Sequence, residues 1–264
     1  MSADKTNKTG NQAALPAQPN LSLIKGILCL QTMVFEGRPI GTRELARKLN
    51  FGHTCVNRLM GTLASIGLAE KNTERKYQAG AGIHVLAAQS LQSSHLLVCA
   101  LPHIRALMDE KLIVSLGVLW RKHVCYLFHG NNQNALENGI GASKPFPVFK
   151  SSIGVAILAS LDQNAAQRMM FQRPDRLGKN EMKLLNSCIS AAKKNGYASV
   201  LHSPSSATIA IAIGQPPIAG LAFAGINLLN IKDKNGYLKR LSGRLSEAAG
   251  RIEADLRETT HIRR

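Results

Sequence analysis

Acidic residues are scarce in this chain: 16 Asp+Glu stand against 33 Lys+Arg, leaving a formal charge of +17 over 264 residues. Scarce acids weigh against a hydrolase or phosphotransferase, and no close pair of carboxylates is present. A nucleophile elbow, a phosphate-cradling glycine loop and zinc-ligand spacing are also missing, so neither an enzyme, a catalytic residue nor a cofactor is expected. No apolar run approaches the roughly 20 residues that a bilayer span needs. The opening MSADKTNKTGNQAALPAQPN lacks the apolar core of a signal peptide and reads as a disordered polar tail over 1–20. A cytoplasmic protein with no membrane partner follows.

Cysteine is sparse and odd in number. Cys29, Cys55, Cys99, Cys125 and Cys188 are widely spaced and mostly in apolar surroundings, which points to reduced buried thiols. His123, Cys125 and His129 could suggest a metal cluster. In HVCYLFHG, however, His123 and Cys125 alternate with apolar residues, so strand periodicity explains them and no metal is expected. Cys55 reads as a packing residue.

What the chain has in excess is positive charge, which favours polyanions through phosphate contacts and counterion release. The segment that gives this charge a use is GTRELARKLNFGHTCVNRLMGTLASIGLAEKNTERKYQAG, Gly41 to Gly80. Thr42 reads as an N-cap, with Leu45, Ala46 and Leu49 on one helical face, and Asn50 and Gly52 end that helix. A second helix starts near His53 or Thr54, buries Val56, Leu59, Met60 and Leu63, and stops at Gly67. Its other face carries His53, Thr54, Asn57, Arg58 and Thr62. Leu68 to Ala79 then forms a hairpin that sets Lys71, Arg75 and Lys76 around a turn at Asn72-Thr73-Glu74. Helix, turn, helix and basic hairpin in unbroken order describe a winged DNA-binding unit, whose second helix enters the major groove. Arg43, Lys48, Arg58, Arg75 and Lys76 are the expected phosphate contacts, and His53, Thr54 and Asn57 the expected base contacts. Thr42, Thr62 and Lys71 complete the interface.

Ahead of this unit, Leu21 to Phe35 places Leu23, Ile27, Leu30 and Val34 at helical spacing, widened by Ile24, Leu28 and Met33, and should pack beneath it. With this helix the first domain spans 21–80. A segment over 81–97 reads as a linker helix. Cys99 to Lys111 is amphipathic, and Pro102, tolerable only in a first turn, sets the helix start near Ala100. The period then becomes that of strands in LIVSLGVLW and HVCYLFHG, an antiparallel hairpin around Arg121-Lys122. Asn131 to Lys144 is a loop or short edge strand. Helices are expected at Ser152 to Leu161, Asn164 to Phe171, Asn180 to Asn195 and Lys234 to Arg257. Strands are expected at Tyr197 to Leu201, Ala207 to Ile213 and Ile218 to Asn227. The whole is α+β.

A first helix, GRPIGTRELARKLNF, a recognition helix of the form xTxVNRLMGTLxxxGL and a hairpin closing in KYQAG together resemble the isocitrate lyase regulator (IclR) family of bacterial transcription factors. PFPVFKSSIGVAILASL resembles the entry to a helix in that family's effector domain, and KNGYA and the late strands match its order of elements. The resemblance covers nearly the whole chain after the tail. It implies a winged helix-turn-helix joined by the linker helix to a GAF-like α/β effector-binding and oligomerisation domain over 98–264. It further implies a ligand-responsive, sequence-specific regulator of a catabolic operon, acting as a homodimer or homotetramer on a double-stranded operator. A sensor or architectural protein that binds DNA mainly by charge is the alternative.

The resemblance places the effector pocket between the sheet and the Ser151 to Gly154 turn, where backbone N–H groups can hold a carboxylate. In relatives that bind small organic acids, polar residues on the last strands help to hold the ligand. Here Ala222 and Ala224 stand where a hydroxyl is often found, which argues against a hydrophilic acid such as glyoxylate. Two readings stay open. Trp120, Phe149, Ser151, Ser152, Ile153, Gly154, Ala222, Phe223 and Ala224 could line a site for a small organic acid, aromatic or apolar, or the same residues could be filled core. The segment LHSPSSA between Val200 and Thr208 is short for a loop closing such a pocket.

Overall fold

The computed structural model describes residues 19–108, 111–133, 136–141, 145–162, 164–166 and 177–262. The polar tail lies outside these residues except for its last two positions, as does the helix expected at 164–171 beyond residue 166. The architecture is α+β, and the chain divides into two compact units between Gln92 and Ser93.

In the first unit, α1 (Leu21–Glu36) starts where the Asn20 side chain accepts from the Leu23 N–H, and ends at Gly37 with φ 63°. Its buried side is Gly26, Cys29 and Met33, at i, i+3 and i+7, with Leu28 beside them. Gly26 faces α3, where Leu59 Cδ2 would lie 3.8 Å from an added Cβ, an ordinary contact distance. This corrects the expected packing stripe: Leu23, Ile27 and Val34 are exposed and Leu30 is half-buried. The helix is apolar on most sides, so its periodicity alone does not single out the side that docks.

Gly41 rather than Thr42 is the N-cap of α2 (Thr42–Leu49), and Asn50 ends that helix at φ 53°. In α3 (His53–Ser65), Val56, Met60 and Leu63 are buried against Leu45 and Ala46 of α2 in one core that includes Cys29 and Met33. Gly67 takes the left-handed conformation, φ 76°. β1 (Ala69–Lys71) and β2 (Tyr77–Ala79) form the antiparallel wing. The Asn72 carboxamide accepts from the Lys76 N–H at 2.9 Å to close its turn, with Arg75 at φ 60°. Ile40 and Tyr77 exchange two backbone hydrogen bonds of 2.8 Å, which fasten the wing to the segment before α2. α4 (Ala81–Gln92) follows.

The linker helix expected over 81–97 is interrupted, because Ser94 caps a new helix through its hydroxyl, accepting from the Leu97 N–H. That helix, α5 (His95–Leu107), begins five residues before the expected start and runs through Pro102. Pro102 and Val98, whose carbonyl loses its usual donor, are both exposed, so solvent can serve the orphaned oxygen. The buried side comprises Leu97, Cys99, Ala100, Ile104 and Leu107.

The second unit is built on one antiparallel sheet in the order β5-β4-β3-β8-β7-β6. Its strands are β3 (Ile113–Trp120), β4 (His123–Gly130), β5 (Phe146–Pro147), β6 (Ala198–Ser203), β7 (Ser206–Ile213) and β8 (Ala219–Asn227). β3 and β4 turn at Arg121, φ 59°. A 3-10 turn at Leu136–Gly139 and an Ile140–Phe128 bridge occupy part of the expected 131–144 loop. α6 (Ser152–Ala159) crosses one face, with Ile153 over Gly117 and Gly220. α7 (Lys179–Asn195) shares that core through Leu185 and Ala192. α8 (Lys234–Ile262) covers the other face, where Arg244 stacks 5.2 Å over the Phe223 ring. The segment 200–208, expected as a loop, is a tight hairpin: β6 continues to Ser203 and β7 starts at Ser206.

Candidate functional site

The exposed side of α3 is the first candidate. His53, Thr54, Asn57, Arg58, Gly61 and Thr62 are all exposed and fall on one stripe, since 53/57/61 and 54/58/62 are successive i, i+4 rows. No acidic side chain occurs between His53 and Ser65. His53 Nε2 lies 3.0 Å from the Thr42 hydroxyl, so the side chain expected to cap α2 instead steadies the first residue of α3. Thr62 donates to the Arg58 carbonyl at 3.1 Å, which turns its hydroxyl along the helix rather than outward.

The basic residues divide into two groups. Lys48 pairs with Glu36 at 2.9 Å and Lys76 with Glu74 at 2.8 Å, while Lys71 sits 5.5 Å over the Tyr77 ring. Glu36 and Glu44 also hold Arg38, and that hydrogen bond keeps the Glu44 carboxyl below its ordinary range. Among the described residues, Arg43, Arg58 and Arg75 form no ion pair, which leaves their guanidinium groups to an outside anion. An open basin beside the α2–α3 turn is lined by Arg43, Arg47, Asn50, Phe51 and His53. Positive charge is not confined to this unit, because the larger part of the excess falls after Gln92.

The second candidate is a cavity of about 370 Å³ between the sheet and the start of α6. Ser151, Ser152, Ile153, Ala222 and Ala224, all expected there, line it. Ser151 caps α6 by accepting from the Gly154 N–H at 3.4 Å. The amides of Ser152 and Ile153, in the first helical turn, lack intrahelical acceptors and carry the positive end of the helix dipole.

Four of the expected lining residues lie elsewhere. Trp120 is at the exposed end of β3, 43% accessible, and does not line the cavity. Phe149 packs on the core under α6, beneath Lys150 Nζ at 5.7 Å. Gly154 abuts another element: an added Cβ would meet Val148 Cγ2 at 2.6 Å. Phe223 points to the opposite face, under Arg244, because neighbours along a strand alternate in direction.

Their places are taken by residues that sequence reading left unassigned. Ser115 on β3, Tyr126 and His129 on β4, Phe146 on β5, Lys150, His202 on β6 and Thr208 on β7 complete the wall. The lining therefore carries more polar side chains than GLAFAG and ATIAIAI suggest, on a wall whose surface is mainly apolar. Sheet register is the missing information: Ser115 pairs with Ala222 on one side and with His129 on the other. The hydroxyl absent from β8 is supplied one strand away. A usable signal did exist, since Ser115 interrupts the apolar run LIVSLGVLW on the inward side.

Ser115 Oγ lies 2.8 Å from His129 Nδ1, and Tyr126 meets the His129 ring edge-on at 5.4 Å between centroids. Burial pushes the His129 imidazole below its ordinary pKa. Burial raises the Tyr126 phenol, and a hydrogen bond with Ser151 partly offsets it. At the far wall His202 Nε2 is 3.3 Å from the Thr208 hydroxyl. Among the described residues four polar side chains are buried, and three of them, Ser115, Ser151 and Ser152, line this cavity. A filled apolar core has no use for that concentration of hydroxyls.

The cysteines add no further centre. All five are free, and burial raises Cys29 to about 11 and lifts Cys125 and Cys188, which disfavours their thiolates. No helix among the described residues is long and apolar enough to cross a membrane.

No protein-family model matches the chain, and no curated protein matches it either. Solved structures do. An IclR family transcriptional regulator from Brucella abortus is similar at a TM-score of 0.73 and 21% identity, over 92% of this chain and 96% of that one. A putative IclR transcriptional regulator from a Silicibacter species aligns at 0.69 and 18% identity, over 89% and 96%. An IclR homologue from Microbacterium hydrocarbonoxydans, complexed with 4-hydroxybenzoate, aligns at 0.60 and 22% identity, over 90% and 99%.

Proposed function

We propose that this chain, which has the fold of the IclR family transcriptional regulators, is a sequence-specific DNA-binding regulator whose output is set by a small aromatic carboxylic acid. The observation that carries the reading is the cavity between α6 and the sheet, with three buried serines and the open amides of a helix start on its wall. A carboxylate suits those amides and Lys150, and the cavity volume falls within the usual range for small-ligand sites, roughly 300–1,000 Å³. An aromatic body suits Phe146, Ile153, Ala222 and Ala224 on the same wall. The 4-hydroxybenzoate of the Microbacterium homologue has this chemistry.

At the output end, α3 enters the major groove with His53, Thr54 and Asn57 toward base edges, while Arg43, Arg58 and Arg75 hold phosphates. A homodimer or homotetramer on paired half-sites, controlling a catabolic operon, is the arrangement we infer. The acid acts by favouring one of two states of the protein that differ in operator affinity. Selection of binding sites from random duplex DNA, followed by titration with 4-hydroxybenzoate and benzoate, tests both halves. Enrichment of a two-fold symmetric motif whose affinity shifts with an acid supports the reading. Equal binding to selected and bulk DNA, with one common salt slope, favours the charge-driven architectural alternative.

A further inference from the structure

We infer that Ser115 and His129 form a neutral hydrogen-bonding couple that selects acids bearing a ring hydroxyl opposite the carboxylate. This rests on the effector reading of the cavity and narrows it to hydroxylated aromatic carboxylates.

The geometry supplies two poles. One is the start of α6, where Ile153 lies over Gly117 of β3. The other is the Ser115–His129 pair, whose strand positions are direct register partners. Ser115 is two residues from Gly117, about 7 Å along an antiparallel strand, and lines the same cavity as Ser151, Ser152 and Ile153 at the helix start. In that shared cavity a carboxylate held at the helix start leaves its ring to the wall that carries Ser115 and His129.

The chemistry of the couple is specific. His129 Nδ1 is engaged by Ser115 at 2.8 Å, and Ser115 itself is 2% exposed. If the serine hydroxyl donates to Nδ1, the proton of the neutral ring sits on Nε2, which donates to a ligand oxygen. If Nδ1–H donates to the serine oxygen, Nε2 accepts from a ligand hydroxyl. A hydroxyl satisfies either tautomer, whereas a bare or methylated ring satisfies neither and displaces water from a half-buried nitrogen without replacing it. Sites built around such a polar group reject the analogue that lacks its partner, and an affinity difference of tenfold or more is expected.

The test uses the full-length protein and isothermal titration with 4-hydroxybenzoate, benzoate and 4-methylbenzoate. The inference requires the wild type to prefer 4-hydroxybenzoate at least tenfold over the other two. Ser115→Ala and His129→Leu, each checked for an unchanged melting transition, must reduce that ratio to near one. If His129→Leu fails to fold, Ser115→Ala and His129→Gln decide the matter. A wild type that binds all three acids equally, or variants that keep the preference, overturns the inference and leaves the effector reading standing. A wild type that binds none of them but still selects an operator overturns the effector reading along with it.

Discussion

Thr42 on α2 and His53 at the first turn of α3 are joined side chain to side chain, Oγ1 to Nε2, at 3.0 Å. The bond ties the helix that would cross the DNA backbone to the first reading residue of the helix that would enter the groove, leaving His53 Nδ1 to a base. Thr42→Val removes the bond while preserving shape. Because the pair is exposed, stability should change by no more than about 1 kcal/mol. Operator preference, measured by competition between selected and scrambled duplexes, should nevertheless fall several-fold. A preserved preference would show that His53 does not depend on Thr42.

Asn57→Ala and Arg75→Ala should fail in different ways. Asn57 is exposed at the centre of the α3 stripe, and its loss should cost about 1–3 kcal/mol at one or two base pairs, flattening the preference there. Arg75, at the wing turn with φ 60°, should instead weaken binding to all sequences and lower the salt slope by about one. Anisotropy titrations at several salt concentrations on matched and single-mismatch duplexes distinguish the two.

Gly154→Ala should destabilise the second unit. An added Cβ there would stand 2.6 Å from Val148 Cγ2 and 2.8 Å from the Val148 carbonyl oxygen, and the backbone atom cannot swing aside as a flexible side chain could. Overpacking of this kind costs about 1–3 kcal/mol. Urea unfolding should show a lower midpoint with an unchanged slope.

How legible these features were in the sequence depended on how local their causes are. The α2–turn–α3–wing order was readable because Asn50, Gly52 and Gly67 punctuate it and Val56, Met60 and Leu63 keep strict helical spacing. The start of α6 was readable from the serines before an apolar run. The docking side of α1 was not, because apolar residues surround the helix and its periodicity leaves several sides equivalent. Pro102 suggested a helix start at Ala100, yet the Ser94 cap and solvent access at Val98 let the helix form around it. Most of the cavity wall was hidden for a different reason. Ser115, His129, His202 and Thr208 are far apart in the chain and meet only through register across β4-β3-β8-β7-β6, which no local pattern encodes. Phe223 stands between Ala222 and Ala224, which face the cavity, and strand alternation turns it to the opposite side under Arg244.

His129 gives the chain a pH dependence with a definite sign. Burial lowers its folded pKa below the unfolded value near 6.5, so the unfolded chain takes up a proton that the folded chain resists. Its contribution should be constant above that value and become destabilising as the pH falls through and below it. Protonation also removes the acceptor tautomer. Melting temperatures of wild type and His129→Gln should converge above pH 7 up to a constant offset, with the wild type losing more stability on acidification toward pH 5.

The regulatory reading requires that one acid, bound in the second unit, changes recognition of DNA by the first. The decisive measurement is the anisotropy of a labelled duplex, selected from random sequence, titrated with the full-length protein at about 0.15 M salt with and without saturating 4-hydroxybenzoate. A several-fold shift in operator affinity, absent for scrambled DNA and requiring a higher acid concentration in Ser115→Ala, is the predicted result. An identical binding curve with and without the acid, for a protein that titration calorimetry shows to be loaded, would contradict it.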